Sequence, residues 1–263
     1  MNTSRKSISN RHEKIISLIN KNGFATVEEM ANLYSVTPQT IRRDINLLDE
    51  EGYVSRHHGG AGPSSSTENL AYRYRRELLH EEKKKIAATV ASIIPDKSSL
   101  FINIGTTTEH VANALSNHHK LRIITNNLNV AAIMSKNENF EVIVTGGIVR
   151  AKDGGITGES AVKCIKQFKV DIGIIGISGI DLDGTLLDFD FREVHVARTI
   201  IENSRKVFLV ADHSKFGRNA MVKLGNIREI DTLITDKKPP EQLMELVLKY
   251  DIGLMVDLAV FKD

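Results

Sequence analysis

The amino-acid sequence predicts an α/β protein with two domains, a small helical domain followed by a mostly parallel sheet flanked by helices. In the first 50 residues, apolar side chains recur at helical spacing and capping residues mark the helix ends. From Ser99 onward, short apolar runs alternate with helical segments, which is typical of βαβ units. The small, polar segment Ala61–Thr67 lies between the two patterns and has the composition of a linker.

The stretch VTPQTIRRDINLLDEEG (36–52) predicts a helix suited to a DNA groove. Thr37 is a good N-cap because its hydroxyl accepts a first-turn backbone N–H, and Pro38 suits the first helical position. An inward stripe is predicted at Ile41, Ile45 and Leu48. The residues off this stripe lie near the N-terminal end of the helix, where recognition helices contact bases: Gln39, Thr40, Arg42 and Arg43.

The neighbouring segments predict the other parts of a winged helix-turn-helix. VEEMANLY (27–34) predicts a short amphipathic helix whose inward residues are Met30, Ala31 and either Leu33 or Tyr34. YVSRHHGGA (53–61) predicts a hairpin, the wing, placed to contact a phosphate or a minor groove through Arg56, His57 and His58. We therefore predict double-stranded DNA as a partner.

The alternative to DNA binding is an ordinary three-helix unit, which shows the same periodicity. Net charge does not decide between the two, because residues 1–62 carry eight Lys or Arg against seven Asp or Glu. What favours DNA is that Arg42, Arg43 and Arg56 are predicted to share one face.

The composition excludes several classes of protein. The single cysteine, Cys164, excludes an intrachain disulfide framework. No apolar run approaches the roughly 20 residues of a membrane helix and no signal peptide is visible, so we expect a cytoplasmic protein with no membrane partner. The nine histidines show no metal-ligand spacing, and nucleotide-binding glycine motifs are absent, so we predict no metal and no cofactor.

We predict three segments along the chain. The winged helix-turn-helix covers residues 1–62, a linker and the start of a connecting helix cover 63–78, and the α/β domain covers 79–263. Residues from about Glu68 to Ile94 have a helical pattern. We interpret its charged middle, Arg73–Lys85, as a solvated helix face.

Polar and glycine-rich motifs fall where the strands of the α/β domain are predicted to end, which is where such sheets bind ligands. Gly105-Thr106-Thr107-Thr108 lies between a predicted strand and a helix, where backbone N–H groups and the helix dipole favour a phosphate. The other strand-end motifs are TNN (125–127), GG (146–147), GISGID (176–181) and ADHSKFG (211–217). One such motif is typical of a turn, but five together favour a small, phosphorylated, hydroxyl-rich ligand.

An enzyme is the alternative function for the α/β domain. An acid/base set for an aldose phosphate is available in Asp181, Asp183, Glu193 and Lys215. The DNA-binding domain on the same chain favours a domain that binds its ligand and releases it unchanged.

The motifs resemble those of the DeoR-type bacterial repressors over essentially the whole chain. The resemblance rests on TIRRD, the RHHGGA wing and the IGTT, TNN, GG, DGG and ADHSKF segments. It implies a transcriptional repressor that binds operator DNA as a homo-oligomer, a dimer or a tetramer. It also implies that the α/β domain is a sensor with the fold of ribose-5-phosphate isomerase but without its catalysis.

Longer stretches, among them LRIITNNLNVA and GISGIDLDGTLLDFDF, resemble the branch of this family that regulates glycerol uptake and use. They imply glycerol-3-phosphate as the effector. A repressor that senses another sugar phosphate stays an alternative, since the motifs specify phosphate better than they specify the carbon skeleton.

The resemblance also implies roles for individual residues. Gly105, Thr106 and Thr107 would hold the phosphate. The rest of the pocket would be formed by Asn126, Gly179, Asp181 and Lys215, with Glu193 near the acidic position of the isomerases. Asn103 stands where the family often has Asp, and we expect this to change a hydroxyl contact rather than phosphate binding.

Overall fold

The computed structural model describes residues 10–22, 24–50, 53–63, 72–77 and 79–256. The chain divides into two compact units between Arg75 and Arg76. The helices are α1 (Asn10–Asn22), α2 (Val27–Tyr34), α3 (Pro38–Glu50), α4 (Tyr72–Glu77), α5 (His80–Ile93), α6 (Thr106–Ala114), α7 (Leu128–Met134), α8 (Glu159–Ile165), α9 (Phe191–Glu202) and α10 (Glu241–Lys249).

The strands begin with β1 (Ala25–Thr26), β2 (Val54–His57) and β3 (Gly60–Pro63) in the first unit. Those of the second unit are β4 (Ser99–Ile102), β5 (Arg122–Thr125), β6 (Glu141–Val144), β7 (Ile148–Arg150), β8 (Gly155–Thr157), β9 (Val170–Gly176), β10 (Gly179–Ile180), β11 (Thr185–Asp188), β12 (Ser204–Val210), β13 (Val222–Asn226), β14 (Thr232–Thr235) and β15 (Gly253–Val256).

The first unit is the predicted winged helix-turn-helix. Its helices pack on a three-stranded sheet of order β1-β3-β2. Thr26 and Glu29 form a capping box at the start of α2, and Ser35 ends the helix with a φ of 53°. The inward residue left open by the sequence is Tyr34, whose hydroxyl donates to the Lys14 carbonyl, whereas Leu33 is 60% exposed.

The wing is the antiparallel pair β2 and β3. His57 lies opposite Gly60 and Arg56 opposite Ala61, with Gly59 in the turn at a φ of 81°. The predicted linker Ala61–Thr67 is wrong in its first part, because Ala61 pairs with both β1 and β2 and the strand continues to Pro63. The rest of that segment, 64–67, lies outside the described residues.

The predicted helix over 68–94 is two helices where it is described. Leu79 has a φ of 54°, which a helix interior does not allow, and α5 starts after it. Residues 68–71 lie outside the described ranges. The interpretation of Arg73–Lys85 as a solvated face is wrong at Lys83, which is buried at 2% exposure.

The second unit is built on a seven-stranded parallel sheet of order β15-β14-β12-β9-β4-β5-β6. The chain runs outward from β4 to β6 and then returns to β9 and runs outward in the other direction. Its switch point therefore lies between β4 and β9, where Leu100 is opposite Ile172 and Ile102 opposite Ile174. The predicted mostly parallel α/β sheet is confirmed.

The core of the second unit lies on both faces of this sheet. Successive side chains of β4 lie on opposite faces of the sheet. Leu100 and Ile102 pack with α5, α6 and α7 on one face, and Phe101 packs with α8, α9 and α10 on the other. Two smaller antiparallel pieces were not predicted: the β10-β11-β13 sheet and the β7-β8 hairpin. Within the described ranges, no helix is both long enough and apolar enough to cross a membrane.

Candidate functional site

The N-terminal end of α3 presents the residues predicted to contact bases. Thr37 Oγ1 accepts the Thr40 backbone N–H at 3.2 Å, which confirms the predicted cap, and the two hydroxyl oxygens are 2.9 Å apart. Gln39, Arg42 and Arg43 are exposed. Arg42 lies 3.7 Å from Glu28 of α2, but both side chains are mostly exposed, so this ion pair is weak.

Asp44 fixes the orientation of α3 against α1, a role that was not predicted. Its carboxylate is buried and accepts from Arg11 Nε at 2.6 Å and Arg11 Nη2 at 3.1 Å, with His12 Nε2 at 3.2 Å. Burial raises the pKa of Asp44, but the hydrogen bonds from Arg11 and His12 outweigh this and hold the pKa below its usual value. The arginines of α3 are thus displayed on a helix that is anchored on its inner face.

The wing residues differ in exposure. Arg56 is exposed, and its backbone N–H donates to Asp49 Oδ1 at 2.9 Å, which joins the wing to the C-terminal end of α3. His58 is exposed in the hairpin turn. His57 is partly buried, with its ring centroid 6.0 Å from that of Phe24. Arg56 and His58 are therefore better placed than His57 to meet DNA.

In the second unit, polar residues gather at the carboxyl ends of four adjacent strands, β5, β4, β9 and β12. Gly105, with a φ of 153°, precedes α6, and Thr106 and Thr107 form the buried first turn. Thr108 closes the loop, since its hydroxyl is 2.8 Å from the Asn103 carbonyl and 2.7 Å from the Gly105 carbonyl. The first turn of a helix leaves backbone N–H groups without intrahelical partners, which suits an anion.

Asn103 joins β4 and β9 at the switch point. Its Oδ1 accepts the Gly176 backbone N–H at 3.0 Å. The oxygen that an aspartate would present here is therefore engaged in holding the two strands together.

Asp212 and two lysines form a charged cluster after β12. Asp212 is 1% exposed, and its Oδ2 lies 3.8 Å from Lys215 Nζ. Its Oδ1 accepts from the backbone N–H and the hydroxyl of Ser214. Burial raises the pKa of Asp212, but the charges of Lys215 and Lys83 and the Ser214 hydrogen bonds lower it further, so that it stays ionised. Lys83 was not predicted as part of this site.

Buried oxygens without a hydrogen-bond partner in the described protein concentrate at the same edge of the sheet. Four of the five such oxygens in the described residues lie there, Asn126 Oδ1, Thr145 Oγ1, Asp212 Oδ2 and Thr235 Oγ1, at the ends of β5, β6, β12 and β14; the fifth, Asn46 Oδ1, belongs to α3. Most buried polar groups are hydrogen-bonded, so such a group of oxygens is typical of a place that binds polar molecules.

Two further groups of polar contacts, each involving acidic residues, lie around this edge of the sheet. Glu109 of α6 is buried and accepts from Asn127 Nδ2 at 3.3 Å and Asn129 Nδ2 at 3.1 Å. Arg150 joins the β7-β8 hairpin to α9 through Asp153 and through the α9 N-cap Asp190. Burial lowers the pKa of Arg150, but its hydrogen bonds and ion pairs raise it further, so Arg150 stays charged.

The structure gives three of the predicted ligand residues other contacts. Glu193 lies in the first turn of α9 and is ion-paired with Arg150. Asp181 is exposed in the β10-β11 turn and accepts the Leu182 backbone N–H at 2.8 Å. Gly179 lies in β10, where a Cβ atom would be 2.1 Å from the Arg218 carbonyl oxygen. By contrast, the other predicted ligand residues follow strands of the main parallel sheet at its carboxyl edge: Gly105, Thr106 and Thr107 follow β4, Asn126 follows the adjacent β5, and Lys215 follows β12, which β9 separates from β4.

Two family models match the chain. A model described as "DeoR-like helix-turn-helix domain" matches residues 11–67, and one described as "DeoR C terminal sensor domain" matches residues 79–237. The chain belongs to the DeoR family. Its first unit is accordingly the DNA-binding domain and its second unit the sensor domain of a DeoR-family regulator.

Relatives match over nearly the whole chain. A glycerol-3-phosphate regulon repressor of Escherichia coli is 52% identical over 244 residues, which cover 93% of this chain and 97% of the relative. One of Haemophilus influenzae is 51% identical, covering 90% and 96%. The transcriptional repressor CsqR of Escherichia coli is 46% identical, covering 89% of each chain. The prediction of a DNA-binding transcriptional repressor rather than an enzyme is confirmed.

Solved structures match the chain only weakly. Ribose 5-phosphate isomerase A of Neisseria gonorrhoeae aligns with 54% of this chain and 54% of its own, at 14% identity and a TM-score of 0.39. A similarity of this size carries no argument about chemistry.

Proposed function

We propose that this DeoR-family repressor controls genes for the uptake and use of glycerol and glycerol-3-phosphate, and that glycerol-3-phosphate releases it from operator DNA. The observation that carries the proposal is the 52% identity to a glycerol-3-phosphate regulon repressor across both domains. The lower identity to CsqR, 46%, extends over a similar share of the chain. Both relatives are repressors, so the comparison supports transcriptional repression. The choice of glycerol-3-phosphate as effector rests on the higher of the two sequence identities.

The proposed effector site is the edge formed by the carboxyl ends of β5, β4, β9 and β12. The phosphate binds at the first turn of α6, through backbone N–H groups at Gly105 and Thr106 and the Thr107 hydroxyl. Lys215 neutralises its charge, and Asn126, whose Oδ1 is buried without a protein partner, accepts from a glycerol hydroxyl. Phosphate and hydroxyl groups thus meet donors and acceptors of the matching kind.

The proposed DNA contacts are divided between the helix and the wing. The residues at the start of α3 contact the major groove: the exposed Thr37, Gln39, Arg42 and Arg43, and the half-buried Thr40. Arg56 and His58 of the wing contact phosphates, and the partly buried His57 lies on the side of them away from the DNA.

The test is fluorescence anisotropy of a labelled operator from upstream of a glycerol-uptake gene, titrated with the protein at fixed salt. We expect tight binding that saturating glycerol-3-phosphate weakens by about 5- to 150-fold, the usual size of allosteric coupling. Tight binding that ignores glycerol-3-phosphate but responds to another sugar phosphate would refute the proposed effector.

Thr106→Asp tests where the effector binds, since a carboxylate at the first turn of α6 repels a phosphate. We expect this variant to bind operator as the wild type does and to stay bound in glycerol-3-phosphate. Ser116→Asp, at an exposed position after the same helix, serves as the control and should respond normally. Normal release of the Thr106→Asp variant would remove this turn from the site.

A further inference from the structure

The backbone at Leu79 does not follow the local sequence. Residues 72–93 contain no glycine, proline or asparagine, and most of them are good helix formers. Leu79 nevertheless has a φ of 54° and a ψ of 43°, and α5 starts only after it. Disagreement of this kind between local preference and structure is typical of functional or strained sites.

The conformation of Leu79 is strained. Five residues other than glycine have a positive φ in the described ranges, and Leu79 is the only apolar one among them. For a residue with a Cβ atom, this left-handed form is disfavoured against the right-handed helical form by about 5- to 30-fold. Leu79 is also the N-cap of α5, and its side chain makes no capping hydrogen bond that could offset the strain. Contacts elsewhere in the structure must therefore hold Leu79 in this form.

The residue after Leu79 is bonded to the turn proposed to bind the effector phosphate. His80 Nδ1 lies 2.9 Å from His110 Nε2, and the two rings are edge to face with their centroids 4.9 Å apart. His110 Nδ1 in turn lies 2.7 Å from the carbonyl oxygen of Thr106, in the first turn of α6. Two histidine side chains thus connect the start of α5 to that turn.

Leu79 also lies close to the DNA-binding domain along the chain. The two compact units divide between Arg75 and Arg76, so Leu79 is the fourth residue of the second unit. A change of its φ from 54° to about −63°, the α-helical value, would extend α5 at its N-terminal end and redirect the chain that precedes it. Residues at the ends of helices are the kind that absorb such changes in hinges.

We propose that Leu79 is a two-state hinge between the effector site and the DNA-binding domain, left-handed in one state of the repressor and helical in the other. The hydrogen bond between His80 and His110 is the positioning contact that makes the state of the hinge depend on the occupancy of the first turn of α6. This inference rests on the proposed function, because it describes how an effector at that turn releases operator DNA. Operator and effector favour different states of the hinge, and each shifts it only by its differential affinity for the two.

The test compares two substitutions of the same leucine, by anisotropy with labelled operator and by isothermal titration calorimetry with glycerol-3-phosphate. Leu79→Gly removes the strain of the left-handed form and disfavours the helix, whereas Leu79→Ala removes the side chain and keeps both preferences. Relative to Leu79→Ala, we expect Leu79→Gly to change at least one of the two affinities by about 10-fold, and any change in the other affinity to have the opposite sign. Equal affinities of the two variants for both ligands, or changes of the same sign, would overturn the inference.

His80→Ala tests the positioning contact. We expect the factor by which saturating glycerol-3-phosphate weakens operator binding to fall by at least about 2-fold, because one hydrogen bond between the turn and α5 is lost. His80→Asn keeps a donor at the place of Nδ1 and should restore the factor, and His119→Ala, at an exposed histidine, is the control that should not change it. A wild-type factor in His80→Ala would overturn the inference, since the start of α5 would then not carry the signal.

The outcomes distinguish this inference from the proposed function. If glycerol-3-phosphate does not release the wild type from operator but another sugar phosphate does, the proposed effector fails, and the comparisons proceed with that compound. If glycerol-3-phosphate releases the wild type and the two Leu79 variants behave alike, the proposed function stands and the hinge is excluded. If no phosphate compound releases the wild type, both fail.

Discussion

At the residue scale, His110 connects the first turn of α6 to the start of α5. Its Nδ1 lies 2.7 Å from the Thr106 carbonyl and its Nε2 lies 2.9 Å from His80 Nδ1. A carbonyl can only accept, so Nδ1 carries the proton, and in the neutral ring Nε2 accepts from His80. A second proton on His110 would remove that acceptor.

This arrangement predicts a loss of sensor-domain stability in weak acid. Burial lowers the pKa of His110 below 6.5, Lys83 and His80 lower it further, and the contact with the Thr106 carbonyl opposes them only in part. The unfolded chain therefore binds more protons than the folded one as the pH falls below 6.5, and stability decreases from that point down to the folded pKa. Thermal unfolding across this range should show a falling melting temperature.

The control for this prediction is a pair of histidine variants. His110→Asn keeps a donor for the Thr106 carbonyl and cannot gain a proton, so its melting temperature should fall less in the same pH range. His119→Asn changes an exposed histidine and should follow the wild type. If His110→Asn shows the full wild-type decrease, other groups cause it.

Which single residues could be predicted depends on whether their partners are local. The Thr37 cap and the Ile41, Ile45 and Leu48 stripe follow from spacing within one helix, and the structure confirms them. Asp44 could not be assigned, because its partners Arg11 and His12 are 33 and 32 residues away in the sequence, and Lys83 could not be linked to Asp212, which lies on a distant strand end. Yet both fall on an apolar stripe, Asp44 between Ile41 and Ile45, and Lys83 three residues before Ile86. A charge at such a position is the signal of a buried ion pair.

At the scale of elements, α3 combines a fixed inner face with an exposed outer one. Asp44 is held by α1, and the Arg56 backbone is bonded to Asp49, so the helix and the wing hold each other in register. Preorganisation of this kind lowers the cost of ordering side chains on DNA. Little of the energy of the contacts between the outer-face arginines and DNA should therefore be lost to ordering these side chains.

Arg42 and Arg43 are predicted to play different parts in DNA binding. Arg43→Ala should lower affinity for the operator by about 1–3 kcal/mol and relax its sequence preference if it contacts a base. Arg42 lies 3.7 Å from Glu28. If Arg42 contacts a phosphate, Arg42→Ala should lower the affinity for operator and for random DNA equally. Anisotropy with operator and scrambled duplexes over a salt series measures both effects. Arg205→Ala, an exposed arginine of the sensor domain, is the control.

The elements that were not predicted are short and antiparallel. β10 has two residues and β7 has three, too few for an alternating pattern to show. Their pairing is set by distant segments, as β11 pairs with β13 along Thr185–Asp188 and Val222–Asn226. The long parallel strands could be predicted because both of their faces are buried, which gives continuous apolar runs such as residues 172–176 of β9.

At the scale of the whole molecule, the two units have separate cores. The first packs around Ile15, Ile41 and Leu48, and the second packs on the two faces of its parallel sheet. The proposed DNA contacts lie on the first unit and the proposed effector site on the second. Communication between them is then a coupling free energy, and such a quantity acts in both directions.

Reciprocity gives the last prediction. If saturating glycerol-3-phosphate lowers operator affinity by some factor, saturating operator must lower the affinity for glycerol-3-phosphate by the same factor, about 5- to 150-fold. Calorimetry of the full chain with and without operator measures the second factor, and anisotropy measures the first. An effector affinity that operator leaves unchanged, in a protein that glycerol-3-phosphate still releases, would show that calorimetry reports a site other than the one that releases the operator.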